Sequence, residues 1–301
     1  MTETVLRRTS LYIPGTNPGM LANADVFGAD SVILDLEDGV PVSEKDAARI
    51  LVRNALKSIP YSKKTEITVR VNALSTPFGR ADFEEIIPLS PGAIRLPKCE
   101  SAEDILQADA LITELEQKYR IAPGSVKIIT ITESAMGGRN LAEIAAASRR
   151  VIALNYGAED YTASLGAERT REGRELDDIR AKVVVAARVA GVQALDSVFG
   201  DINDPEGLYE DALRARRLGF DGKSVIHPRQ IHVVHRAFTP TEKETGFALR
   251  VMAAFSDAAA RGSGVIALDG RMIDAPVVAR ARKTIALAKA AGSLPGEVHA
   301  G

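Results

Sequence analysis

Short apolar runs rich in β-branched residues alternate with longer stretches of helical spacing from the start of the chain to about residue 230. The runs are SLYIPG, SVILDLED, EITVRVN, AIRLPK, KIITITES, VIALNYGAED, ALDSVF and GKSVIHP. Near-continuous apolarity marks strands buried on both faces, as in a parallel sheet. Between them, AEDILQADALITELEQKY and ELDDIRAKVVVAARVAG space their apolar residues as amphipathic helices do, and Gly191 is placed to end the second. Eight such strands with crossover helices predict a (β/α)8 TIM barrel. The competing open sheet would carry a glycine-rich phosphate turn after its first strand, and IPGTNPG lacks the GxGxxG spacing.

Beyond Phe238 the pattern changes. TPTEKE predicts a helix start, with Thr241 as N-cap and Glu244 completing a capping box. A helix to about Ala260, the stretch GSGVIALDGRMIDAP and a last helix VVARARKTIALAKAAG follow. Residues 1–238 are therefore expected to form the barrel. Residues 239–301 are expected to form a C-terminal helical extension, too thinly apolar for a separate domain, packing on the barrel or a neighbouring subunit. The tail SLPGEVHAG is expected to fray.

Composition removes several classes of function. A chain 46% hydrophobic and 26% charged is ordinary for a soluble globular protein. A net charge of −2, with Lys and Arg scattered, offers nucleic acid no basic field. No apolar run approaches the roughly 20 residues of a membrane span. MTETVLRRTS has no apolar signal core, so the expected compartment is the cytoplasm. The single cysteine, Cys99, excludes an intrachain disulfide and a multi-cysteine metal site.

Three of the apolar runs end on acids: Glu37 and Asp38, Glu133, and Glu159 with Asp160. An unpaired buried carboxylate costs several kcal/mol, so acids at strand ends need a reason. In a TIM barrel the C-terminal strand ends form the catalytic rim. That rim would carry Asp35, Glu37, Asp38, Arg70, Asn72, Lys98, Glu133, Glu159, Asp160, Asp196 and His227. Glu133 and Asp160, from neighbouring strands, suit magnesium, which commonly takes one or two carboxylates and keeps water or substrate elsewhere. Zinc is not favoured, because the four histidines show no HxxxH spacing. The alternative is that these acids pair with Arg and Lys across the rim.

Other candidates also have two readings. Arg70, between valines in TVRVN, either grips a carboxylate or thioester oxygen or partners Glu37 or Asp38. The acids of DLED, Asp38 among them, supply a base or orient metal-bound water, or else cap the following helix. Lys98 in RLPKCE is a Schiff-base candidate or an ordinary strand-end turn. GFDGKS only partly matches a phosphate-binding turn, and His227 in IHPRQ reads more readily as a packing residue than a catalytic one. Asp269 and Asp274 flank GRMI with nothing local to single one out.

RRTSLYIPG, LDLEDGV, VRVNAL, RLPK, ITES, GAEDY, ERTREG, GFDGKSVIHPRQI and DGRMIDAPV stand in the order seen in the citrate lyase β-subunit family, from about Arg7 to about Gly292. The chain resembles that family, within a superfamily that also holds malyl-, citramalyl- and hydroxymethylglutaryl-CoA lyases. ERTREG and DGKSVIHPRQI look most like the citrate lyase subunit. The resemblance implies a magnesium-dependent barrel that cleaves a carbon–carbon bond in a 3-hydroxyacyl thioester, citryl-ACP or citryl-CoA, to oxaloacetate and an acetyl thioester. It implies Glu133 and Asp160 as magnesium ligands, Glu133 and Arg70 as substrate-binding, and Asp274 of MIDAP as an acid/base brought over a neighbouring subunit's mouth. The implied partners are a thioester on acyl carrier protein or coenzyme A, a homotrimer, and citrate lyase α and γ subunits. IHPRQ often reads INPRQ in close relatives, which argues against a catalytic His227. The rival readings are a malyl-CoA or citramalyl-CoA lyase, a metal-dependent pyruvate aldolase acting on free acids, and a non-catalytic scaffold subunit.

Overall fold

A computed structural model describes residues 5–260 and 266–294. Most of SLPGEVHAG, and the first residues of GSGVIALDGRMIDAP, lie outside the described residues. Each of the predicted apolar runs contains a strand: β1 (Thr9–Pro14), β2 (Ser31–Asp35), β3 (Glu66–Arg70), β4 (Ala93–Leu96), β5 (Lys127–Thr132), β6 (Val151–Tyr156), β7 (Gln193–Asp196) and β8 (Gly222–Val225). They pair in parallel, in sequence order, and β8 closes onto β1. The fold is the expected (β/α)8 barrel.

The helices of the barrel region are α1 (Pro18–Ala22), α2 (Lys45–Ser58), α3 (Gly79–Ile86), α4 (Ala102–Lys118), α5 (Ala135–Arg139) and α6 (Leu141–Ala146). They continue with α7 (Ala158–Leu165), α8 (Asp177–Ala190), α9 (Pro205–Leu218) and α10 (Arg229–Phe238). Local chemistry sets their ends. Ser101 and Asp104 form a reciprocal capping box at the start of α4. Gly191 ends α8 with φ 72°, the left-handed conformation glycine adopts freely.

Strand alternation sorts the side chains. Ala93, Ile129, Ala153 and Leu195, from consecutive strands β4 to β7, form one apolar cluster. Residues two and four positions further along these strands point to the same face. That alternation turns Ile131 and Glu133, Asn155, and Ser197 toward the mouth of the barrel.

The chain divides into two compact units, Arg7–His235 and Met1–Leu6 with Arg236–Gly301. The second contains α11 (Glu242–Ala260), strands β9 (Ile266–Leu268) and β10 (Arg271–Ile273), and α12 (Ala275–Ala290). The predicted capping box is present: the Glu244 amide donates to Thr241 Oγ1 at 3.2 Å, and Glu244 Oε2 accepts the Thr241 amide at 2.8 Å. Ala248, Val251, Ile273, Val278 and Ala281 make its core. The helical pattern predicts helices alone here, and the structure adds an antiparallel hairpin. Asp269 and Gly270, at φ 51° and 74°, make the two-residue left-handed turn that such hairpins favour.

Candidate active site

At the C-terminal mouth of the barrel lies a cavity of about 340 Å³. Glu133 reaches it from the end of β5 and Asp160 from the first turn of α7. Glu133 is only 6% exposed, and its carboxylate accepts one hydrogen bond, from the Lys98 amide at 3.2 Å. Lys98 holds φ 55° there, a left-handed backbone rare for a non-glycine residue. Burial, then the nearby charge of Glu37, then those of Asp160 and Asp38, push the Glu133 pKa up to about 8 against the pull of Arg70. The Asp160 carboxylate lines the same cavity and, among the described residues, makes no hydrogen bond and no ion pair. Gly157 admits this arrangement, because a Cβ at that position would stand 2.8 Å from Glu133 Cγ and 3.0 Å from Oε1.

Arg70, at the end of β3, lies beside Asp35 of β2 in register. The two make a two-pronged ion pair, Nε to Oδ1 at 2.6 Å and Nη2 to Oδ2 at 2.7 Å. Arg70 Nη1 reaches Glu37 Oε2 at 2.8 Å and Asp38 Oδ2 at 3.4 Å. Asp35 also accepts the amides of Glu37 and Gly39, at 3.0 and 2.9 Å, so it holds both the arginine and the loop. The acids of DLED therefore cap no helix: none of their side chains bonds the starts of the helical turns that follow. Asp38 is the loosely held one, with its side chain 56% exposed.

Of the two readings of Arg70, the ion-pair one is seen directly. Arg70 lines the cavity, and it partners Asp35, Glu37 and Asp38. Its guanidinium also sits 4.9 Å above the Tyr12 ring of β1, a cation–π contact no sequence pattern signals.

Other rim candidates are placed elsewhere. Lys98 Nζ pairs with Glu37 Oε1 at 3.1 Å. Burial pulls its pKa down, but the Glu37 hydrogen bond and charge win and hold it above the ordinary value. A Schiff-base lysine needs the opposite shift. Asp196 faces outward, where it binds Tyr156, Arg180 and Lys223 among buried groups. Lys223, the lysine of GFDGKS, is spent on Asp196 and Asp211 at 2.7 and 2.6 Å and is not free for phosphate. The His227 ring accepts the Arg229 amide at 3.1 Å, a turn-capping role. Asp274 lies in the second unit, exposed, and caps α12 by accepting the Val277 amide at 3.1 Å. Glu159 is paired with Arg169 at 2.9 Å.

The HpcH/HpaI aldolase/citrate lyase family model matches residues 8–228, which contain all eight strands of this barrel. The chain belongs to that family. It is 44% identical to the citrate lyase subunit beta of Leuconostoc mesenteroides subsp. cremoris over 285 residues, 95% of this chain and 94% of that one. It is similar to the crystal structure of the protein CitE from Mycobacterium tuberculosis in complex with magnesium, acetoacetate and coenzyme A. That likeness has a TM-score of 0.76 and 35% identity, and covers 95% of this chain and 98% of that one. A citrate lyase beta subunit from M. tuberculosis complexed with oxaloacetate and magnesium gives a TM-score of 0.67 at 36% identity, covering 78% and 98%. As a member of this family the chain is a carbon–carbon lyase.

Whether the mouth fits magnesium can be tested on its own groups. The carboxylates Asp35, Glu37, Asp38, Glu133 and Asp160 outnumber the cations Arg70 and Lys98. The cations pair with Asp35, Glu37 and Asp38, which leaves Glu133 and Asp160 without an ion pair among the described residues. Burial first, and the neighbouring negative charges after it, raise the Glu133 pKa. Among the described residues no group of three or more His, Cys, Asp or Glu side chains is arranged as a metal cage. Two hard oxygen donors with remaining positions open to water and substrate are what magnesium takes, so the residues fit the ion.

Proposed function

We propose that this lyase cleaves a citryl thioester, on acyl carrier protein or coenzyme A, into oxaloacetate and an acetyl thioester, with Mg2+ held by Glu133 and Asp160. The observation that carries the reading is that these two carboxylates, neither in an ion pair among the described residues, face one cavity beside Arg70. The ion, when bound, supplies Lewis-acid polarisation to the hydroxyl and carboxylate of the citryl group. Asp38, loosely held and exposed, takes the hydroxyl proton as general base. As the C–C bond breaks, its electron pair passes to the thioester fragment, and the Arg70 guanidinium offsets the charge on the enolate oxygen. Asp35 and the Tyr12 ring keep that guanidinium aimed into the cavity. Glu133 contacts the substrate as well as the ion. Asp274 of a neighbouring subunit returns a proton to the enolate carbon, which balances the one removed from the hydroxyl. That role belongs to a homotrimer, which in a citrate lyase complex would work with α and γ subunits.

Product identification from citryl-CoA, with and without EDTA, tests the reading. Oxaloacetate and acetyl-CoA should form, and chelation should abolish them; cleavage of malyl-CoA alone would refute citrate as the acid. One observation favours a malyl- or citramalyl-CoA lyase instead. Arg70 is the one cationic side chain among the described residues lining the cavity, and a citryl group brings one more carboxylate than those substrates do.

A further inference from the structure

Across the barrel from β3, the cavity wall is built by β6, β7 and β8, and Asn155, Ser197 and Ser224 line it beside Val198 and Ile226. The three polar side chains are 1%, 4% and 2% exposed. Their hydrogen bonds force a direction on each. The Tyr156 amide donates to Asn155 Oδ1 at 2.6 Å, so the amide group of Asn155 has one orientation. Its Nδ2 then donates to Ser224 Oγ at 3.0 Å. Ser197 Oγ accepts the Ala158 amide at 3.0 Å. Each serine oxygen is thus occupied as an acceptor, and neither hydroxyl proton has an acceptor among the described residues. The second Nδ2 proton of Asn155 has none either. A buried hydroxyl left without an acceptor is costly, so convergent donors of this kind suit a ligand made only of acceptors.

We propose that Ser197, Ser224 and Asn155 form a neutral carboxylate-binding subsite for the carboxymethyl arm of the citryl group, retained in oxaloacetate as its distal carboxylate. Citramalyl and malyl thioesters carry a methyl group or a hydrogen at that position, so the subsite selects citrate. It answers the shortage of cations in the cavity, since hydroxyl and amide donors hold a carboxylate without one. Glu159, the acid nearest in sequence to Ala158, is neutralised by Arg169 and does not oppose it. The inference rests on the lyase reading above and goes further, to the identity of the acid.

Calorimetric titration of the full chain in magnesium buffer, with oxaloacetate and with pyruvate, tests it. In Ser197→Ala and Ser224→Ala the Kd for oxaloacetate should rise about tenfold for each lost hydroxyl, while that for pyruvate stays within about twofold. The kcat/KM for citryl-CoA should fall in parallel. Ser197→Cys and Ser224→Cys, close in volume but weak donors, should reproduce the loss and so exclude a packing effect. Equal weakening of both keto acids, or none for oxaloacetate, overturns the subsite while citryl-CoA cleavage by wild type leaves the lyase standing. A wild-type protein that binds neither keto acid and cleaves neither thioester brings down both.

Discussion

Glu133 is where burial and chemistry oppose each other. Its carboxyl holds a proton up to about pH 8 in the folded chain, against 4.5 when unperturbed. The folded state therefore binds more protons than the unfolded one between those values, and the metal-free protein loses stability as pH rises through that window. Thermal melts in EDTA from pH 5 to 9 should show this slope in wild type and not in Glu133→Gln. Gly157→Ala should keep the fold but displace the Glu133 carboxylate, lowering kcat/KM by about 10²-fold as reacting groups move apart. Normal circular dichroism with normal activity would rule that displacement out. Glu133 was legible in the sequence because alternation along a strand says which residue next faces inward, and Asp160 because the apolar run of β6 leads into it. Asp35 as Arg70's partner, Tyr12 beneath the guanidinium and the donors Asn155, Ser197 and Ser224 were not. Those contacts join different strands and depend on register and barrel closure, to which single segments give no access.

Elements carry their own charge pairs. Arg150, just before β6, binds Glu116 of α4 at 2.7 and 2.9 Å. Burial pulls Glu116 upward, but the hydrogen bonds from Arg150 and from the Gly124 and Val126 amides win, holding its pKa at about 2. This carboxylate favours the folded state above its unfolded pKa of 4.5, and that contribution is lost as pH falls toward 2. Glu116→Ala should cost about 3 kcal/mol in urea unfolding at neutral pH, because a buried arginine loses its main partner. A loss under about 1 kcal/mol would mean that Asp109, 2.5 Å from Arg150, compensates. The helix ends at Thr241 and Gly191 were readable because caps are local chemistry. The β9–β10 hairpin also had a local signal, Asp269–Gly270, but three-residue strands are too short to show a period.

For the whole molecule, magnesium bound as proposed to the folded state alone would stabilise it by mass action, about 2.7 kcal/mol at one hundred times Kd. Wild type should therefore melt higher in millimolar Mg2+ than in EDTA, and Glu133→Gln should not. A complementation experiment tests the oligomeric part of the proposal. Asp274→Ala and Glu133→Gln, each inactive alone, should regain activity when unfolded and refolded together, since a mixed oligomer then contains intact pairs. Asp274→Ala that is fully active alone would remove that residue from the chemistry.

Apolar periodicity determined the barrel and the turn of Glu133 toward its mouth. These follow from the alternation of side chains along a strand, a property of the chain itself. Which groups meet there was decided only by tertiary structure. Closing the sheet set Arg70 against Asp35, sent Asp196 outward and left Ser197 and Ser224 with protons to donate, because contact across a barrel depends on stagger and not on position along the chain.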